Sequence, residues 1–309
     1  MSEMLSQLAS RTGLRESEIR HIMLSAPERY KHYTIPKRDG TRREIAQPSR
    51  EVKAVQRAFV DVYIAQLPVH EAATAYRIGL SIKDNALRHA SNGPILKMDL
   101  KNFFPSIRMQ DWHYYCEKNS FLETEHDRFL SGHLLFMRLP GRRALRLAIG
   151  APSSPALSNV IMHDFDENIV EAIESNHVTY TRYADDMIFS APRTGYLTGV
   201  QSAVARTIRE LRFPRLEINS QKTTYITKKY HRTVTGLTLS NDGRVTIGRD
   251  RKRQISAMTH RFTLGELSKD STKQLAGLLA FVNSAEPDFL EALCEKYGET
   301  AIARIMGQS

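Results

Sequence analysis

Only two cysteines, Cys116 and Cys294, occur in the 309 residues. They are too few and too far apart for a disulfide framework or a zinc site. No apolar run approaches the ~18 residues needed to span a bilayer. The stretch Met1 to Arg20 is polar and charged and lacks the hydrophobic core of a secretory signal, so a cytoplasmic location is expected. Internal repeats and low-complexity linkers are also missing, so any lobes must be closely joined. Acidic residues run short. There are 34 Asp and Glu against 44 Lys and Arg, a formal charge of +10. That surplus favours polyanionic partners, either nucleic acid or an anionic membrane surface. The length allows a well-buried core, in about two domains or one elongated multi-lobed fold.

What the chain does have is a pair of adjacent carboxylates in an apolar, β-prone setting. Tyr180-Thr181-Arg182-Tyr183 and Met187-Ile188-Phe189-Ser190 flank Asp185 and Asp186, and Val, Thr, Tyr, Ile and Phe at this density predict a hairpin. Asp-Asp is also ordinary turn chemistry. A third acid changes the balance. Asp99 closes the short apolar run Pro94-Ile95-Leu96-Lys97-Met98, which reads as a buried strand that can neighbour the hairpin in one sheet. Phosphoryl transfer by two metals, ~3.5–4 Å apart, uses carboxylates gathered in this way. Mg²⁺ suits such oxygens and needs few protein ligands.

Elsewhere, helical spacing marks residues 1 to about 30, Ser49 to Ala65, Ile82 to Ala90, Gln110 to Leu135, Ala156 to Asn176 and Gly199 to Leu211. An early hairpin spans Thr34 to Ala46 around Arg38-Asp39-Gly40. Short strands are expected near Leu216 to Asn219 and Tyr225 to Ile226. From Arg249 onward the chain reads as mainly helical.

Several segments combine into one pattern, which resembles the bacterial retron reverse transcriptases. Asp99 with Phe103-Phe104-Pro105-Ser106 looks like the first palm motif of these enzymes. Gly150-Ala151-Pro152-Ser153-Ser154-Pro155 with Ser158-Asn159 looks like the next, Tyr183-Ala184-Asp185-Asp186 like the catalytic tetrad, and Lys222-Thr223 like the motif after it. Asn85-Ala86-Leu87-Arg88-His89 and Val234-Thr235-Gly236 fit elements that separate retron enzymes from intron-type and diversity-generating ones. One departure is Leu147-Ala148-Ile149, where many relatives carry Leu-Pro-Gln. It puts one nucleotide or template contact in doubt.

The resemblance implies an α+β, right-hand polymerase fold. Residues 1–92 would form N-terminal helices and fingers, and 93–240 a palm of antiparallel sheet plus helices, with a fingers segment inserted at about 113–150. Residues 241–309 would form a mainly helical thumb. It implies an RNA-directed DNA polymerase in which Asp99, Asp185 and Asp186 are catalytic and bind two Mg²⁺ ions, with Mn²⁺ as a substitute. Nucleotide-binding residues would be Lys37, Arg43, Phe104, Gly150, Ala151 and Lys222. Of these, Phe104 would exclude a 2′-hydroxyl and Lys222 would protonate the leaving pyrophosphate. RNA-binding residues would be Asn85, His89, Val234, Thr235 and Gly236, together with Arg249, Arg251, Lys252 and Arg253. The last four lie in a stretch, Arg244 to Lys273, with eight basic residues against three acidic.

The implied partners are a cognate non-coding RNA and its DNA copy, deoxynucleoside triphosphates, a separate effector protein for anti-phage defence, and host ribonuclease H for template removal. No membrane partner is expected. Synthesis would start from the 2′-hydroxyl of an internal guanosine, giving a branched RNA–DNA product. Besides the intron-type and diversity-generating enzymes, a non-catalytic RNA-binding scaffold of a defence complex stays open as an alternative.

Overall fold

The computed structural model describes residues 2–37, 40–139, 141–173 and 177–307. Helices α1 (Glu3–Thr12) and α2 (Glu16–Ser25) pack on α3 (Arg50–Phe59). Between α2 and α3 stands an antiparallel hairpin, β1 (Tyr30–Pro36) and β2 (Arg42–Pro48). It is longer than the expected Thr34 to Ala46. Arg38 and Asp39, in its expected turn, lie outside the described residues. Ser49 caps α3 by accepting from the Val52 amide, and a wider π-type turn carries the helix on to Ile64.

After α4 (Ile82–Ala90) the chain enters the strand that organises the molecule, β3 (Ile95–Asp99). Next come α5 (Phe103–Ser106), α6 (Met109–Lys118), α7 (Glu125–Leu135), the two-residue strands β4 (Met137–Arg138) and β5 (Leu145–Arg146), α8 (Ser154–Ile161) and α9 (His163–Ile173). The helical stretch expected over Gln110 to Leu135 and the long helix expected over Ala156 to Asn176 are therefore each two helices. Their apolar spacing runs on through the breaks, which hides them from a periodicity reading. Residues 174–176, at the end of the second expected helix, lie outside the described residues.

The carboxylate hairpin is β6 (Thr179–Tyr183) and β7 (Asp186–Ser190), followed by α10 (Val200–Glu210) and β8 (Thr224–Ile226). These strands form a four-stranded antiparallel sheet in the order β6-β7-β3-β8. Leu216 to Asn219 forms no strand of its own. It runs beside the end of β3, with an isolated bridge between Ile218 and Leu100 and a hydrogen bond from the Asn219 amide to the Asp99 carbonyl. A second, three-stranded sheet comprises β9 (Arg232–Val234), β10 (Leu237–Leu239) and β11 (Val245–Thr246). Helices α11 (Arg249–Thr263), α12 (Lys269–Ala285), α13 (Pro287–Tyr297) and α14 (Glu299–Met306) close the chain.

Period-2 alternation gives the central sheet two covered faces. Leu96, Met98, Met187 and Phe189 enter one apolar cluster with Phe103, Leu157, Phe165 and Val204. Ile95 and Ile188 face the other way, into a cluster with Ala86, Val234, Leu237 and Leu275. The sheet is thus held between two cores, and its open end carries the acids. Among the described residues, no helix is long and apolar enough to cross a membrane.

Candidate active site

Register brings the three acids together. In the β3–β7 ladder Asp99 stands opposite Asp186, and the Leu100 amide donates to the Asp185 carbonyl at 3.0 Å. One residue of slip would turn every side chain of the strand to the other face, so the two buried clusters fix this pairing. Asp185 lies in the two-residue turn between β6 and β7, behind Ala184, whose φ of 57° is left-handed. A side chain there costs on the order of 1–2 kcal/mol.

The segment after α10 completes the site. Asn219 donates from its backbone to the Asp99 carbonyl at 2.8 Å and from Nδ2 to Asp99 Oδ1 at 3.0 Å. Lys222 Nζ donates to Asp99 Oδ2 at 2.8 Å. Asn219 escaped the sequence reading. Its only signal was its place three residues before the lysine of a recognised motif.

The electrostatics are those of a site short of positive charge. Burial, with Asp99 nearby, raises the Asp185 carboxyl above its ordinary range, against the pull of Lys222 and Arg43. Asp186 is pushed up to about 6 by lost solvation and by repulsion from Asp185 and Asp99. Asp186 is the most solvent-exposed of the three, so the geometry supports repulsion more firmly than burial as its cause. Hydrogen bonding to Asp99 raises Lys222. Hard oxygen donors that repel one another fit a divalent cation in kind. Among the described residues no group of three or more His, Cys, Asp or Glu side chains forms a ready metal cage, and both Asp99 oxygens are engaged by Lys222 and Asn219.

The expected nucleotide residues divide into two groups. Phe104, Gly150 and Ala151 line one cavity of about 340 Å³, joined there by Tyr76 and Ile149. The Tyr76 ring lies 6.3 Å from that of Phe104 and 6.4 Å from that of Tyr183. Gly150 has a φ of 118°, and a Cβ there would come within 3.0 Å of Ile45 and 3.1 Å of the Ala46 carbonyl. The Ala46 amide donates to the Ile149 carbonyl at 2.8 Å, so strand β2 rests directly on this loop. Arg43, exposed on β2, acts electrostatically on Asp185 and Tyr76. Lys37 is exposed just beyond β1.

The expected RNA residues differ in exposure. Asn85 and His89 are fully buried. His89 bridges Ser190 Oγ through Nδ1 and Thr181 Oγ1 through Nε2, both at 2.7 Å, and so pins α4 to the sheet. Among the described residues the Asn85 side-chain amide has no hydrogen-bond partner. Val234 is buried as well, in the apolar cluster behind the central sheet. Thr235 donates to the Ile82 carbonyl at 3.0 Å, and with Gly236 it forms the β9–β10 turn. Arg251 stacks over Phe281 at 5.2 Å and faces the Gly236 carbonyl. Lys252 is committed to an ion pair with Glu286. Arg249 and Arg253 remain exposed on α11.

Comparison with known proteins places the chain in a family. The family model for "Reverse transcriptase (RNA-dependent DNA polymerase)" matches residues 35–239. The chain is 38% identical over 278 residues to the Retron Ec83 reverse transcriptase of Escherichia coli, covering 89% of each. The chain belongs to the retron reverse transcriptases. A second relative, the Retron Ec73 reverse transcriptase of Escherichia coli, is 33% identical over 285 residues, again across 89% of each chain. As a retron reverse transcriptase the chain is an RNA-directed DNA polymerase. Its fold has a counterpart in the telomerase of Candida albicans, solved with a fragment of telomeric RNA. The TM-score is 0.52 at 12% identity, over 98% of this chain and 58% of the telomerase. This likeness concerns the fold alone, a mixed helix-and-sheet right-hand polymerase architecture built on an antiparallel sheet.

Proposed function

We propose that this retron reverse transcriptase copies part of a cognate structured non-coding RNA by two-metal phosphoryl transfer at Asp99, Asp185 and Asp186. The observation that carries the reading is the register of β3 against β7, which sets Asp99 opposite Asp186 beside the Asp185 turn. These acids would hold two Mg²⁺ ions, with Mn²⁺ as a substitute, once Asp99 gives up Lys222. Bound there, the ions would activate the attacking hydroxyl and steady the leaving oxygen. Because Mg²⁺ takes substrate phosphates as ligands, the site can complete itself only when a deoxynucleoside triphosphate arrives.

The chain's own residues supply the rest. Phe104 and Tyr76 floor the cavity where a deoxyribose would sit, and a 2′-hydroxyl would meet the Phe104 ring. Arg43, reaching over from β2, suits the triphosphate because its planar fork grips phosphate oxygens. Lys222, freed from Asp99, holds a proton within reach of the departing pyrophosphate. Exposed Arg249 and Arg253 suit the phosphates of template and product.

The same reading extends to priming from a 2′-hydroxyl of an internal guanosine, to a branched RNA–DNA product, and to anti-phage defence with a separate effector protein. Host ribonuclease H would remove the template, and the setting would be the cytoplasm. The test is co-expression with the adjacent upstream RNA locus, beside Asp185→Asn/Asp186→Asn. A short DNA whose mobility shifts on ribonuclease treatment, and which the double mutant lacks, is expected. RNA bound without DNA in the unmodified protein would replace the polymerase reading with that of a scaffold.

A further inference from the structure

Strand β6 buries a charge that the chemistry above does not use. Arg182 and Asp166 have no exposed side-chain surface and form a bidentate pair, Nε to Oδ1 at 2.8 Å and Nη2 to Oδ2 at 2.6 Å. Tyr180 donates to the same Asp166 Oδ1 at 2.8 Å. An ion pair removed from water is expensive and is weak evidence for stability, so what the remaining guanidinium donor touches is informative. Nη1 reaches the Ala184 carbonyl at 3.2 Å and Asn159 Oδ1 at 3.3 Å.

Those two contacts lead to the two halves of the site. The Ala184 carbonyl belongs to the peptide that joins the left-handed residue to Asp185, so fixing that oxygen fixes the plane from which the Asp185 side chain departs. Asn159 passes the restraint on, donating from Nδ2 to the Ala75 carbonyl at 2.7 Å. The next residue is Tyr76, itself left-handed with a φ of 60° and seated against Phe104. The main chain of Arg182 is held too, donating to the Ala72 carbonyl at 2.7 Å and accepting from the Thr74 amide at 2.9 Å.

We infer that Arg182, anchored by Asp166, is a positioning residue that sets the Asp185 turn and, through Asn159, the Tyr76 side of the nucleotide cavity from a single point. It touches no substrate. Two strained residues, one on each side of the site, hang on one guanidinium, so its geometry governs both turnover and nucleotide fit. The inference rests on Asp185 acting as a metal ligand.

The test uses the full chain on poly(rA)·oligo(dT) with dTTP and a Mg²⁺ titration. Arg182→Lys keeps the charge opposite Asp166 but loses the fork. It is expected to lower kcat at least tenfold and to raise the half-saturating Mg²⁺ concentration at least threefold. Template–primer affinity should stay within twofold, and thermal unfolding should remain cooperative. Asn159→Ser cuts only the Tyr76 arm. It is expected to raise KM for dTTP at least threefold and to narrow discrimination against UTP, with kcat within twofold. If Arg182→Lys matches the parent per folded molecule in kcat and Mg²⁺ dependence, the inference is overturned and the pair is only packing. If Arg182→Lys does not fold, Asn159→Ser decides: a shifted KM and discrimination uphold the restraint, and unchanged values overturn it. Asp185→Asn serves as the control for the underlying reading. Full activity in that variant would sink the metal-ligand assignment itself, a result distinct from either outcome above.

Discussion

At the scale of single residues, Lys222 is the side chain to which the proposed function gives two jobs. Its ammonium now neutralises Asp99, and it stands mostly in solvent at 60% side-chain exposure. Its partner Asp99 is buried, so removing the ammonium should lower stability modestly as well. Lys222→Met is expected to slow single-turnover extension per folded molecule ~100-fold, as loss of a general acid does. A rate within threefold of the parent would reduce Lys222 to a counter-charge. Phe104 makes the second residue-scale prediction. Phe104→Ala removes the ring from the cavity, and the preference for dTTP over UTP, measured as a ratio of kcat/KM, should fall ~10-fold or more. An unaltered ratio would assign the exclusion of ribonucleotides elsewhere.

At the scale of elements, the junction of α4 with the sheet depends on a neutral imidazole. Burial holds His89 down at about 3, against ~6.5 in an unfolded chain. The folded state thus disfavours the proton. The stability this contributes is fully present above pH 6.5 and drains away as pH falls toward 3. Linkage gives a loss of ~2 kcal/mol between pH 7 and pH 5 from this one group. Urea titrations should show that loss in the parent but not in His89→Asn, which starts from a lower stability. Equal pH slopes in the two proteins would refute the assignment.

The same junction shows what could and could not be read beforehand. Asn85 and His89 are recognisable as a motif in sequence, but a motif does not say whether it faces water. Only the approach of Thr181 and Ser190 reveals a joint. The carboxylate hairpin and the Asp99 strand were legible because their β-prone, apolar runs are the sequence form of a covered sheet. Strands β9 to β11 were not, since two or three residues cannot display an alternation. The break at Met162 was hidden because apolar spacing carries straight through it. Tyr76 gave no signal at all: its role comes from a backbone turn and a neighbour, Asn159, far away in sequence.

At the scale of the whole molecule, the charge of +10 is a statement about nucleic-acid binding in salt. Each phosphate neutralised on a single strand contributes ~0.7 to the slope of log affinity against log salt. Arg249 and Arg253 are exposed on one helix, so Arg249→Gln/Arg253→Gln should flatten that slope by ~1.4 for a labelled RNA oligonucleotide. The rate on saturating template should hold. An identical slope would remove this face of α11 from the RNA path.

The pairing of Asp99 with Asp186 also sets a clock. The two residues are 87 positions apart (186 − 99) in the sequence, and a ribosome adding ~5–20 residues each second needs ~4–17 s to pass from one to the other. Until then β3 has no β7 to pair with, and Lys222 comes later still. The N-terminal helices and the β1–β2 hairpin leave the ribosome long before the site is complete, so a nascent chain halted before the β6–β7 turn holds Asp99 alone of the three acids and lacks both its partners and the exposed arginines of α11.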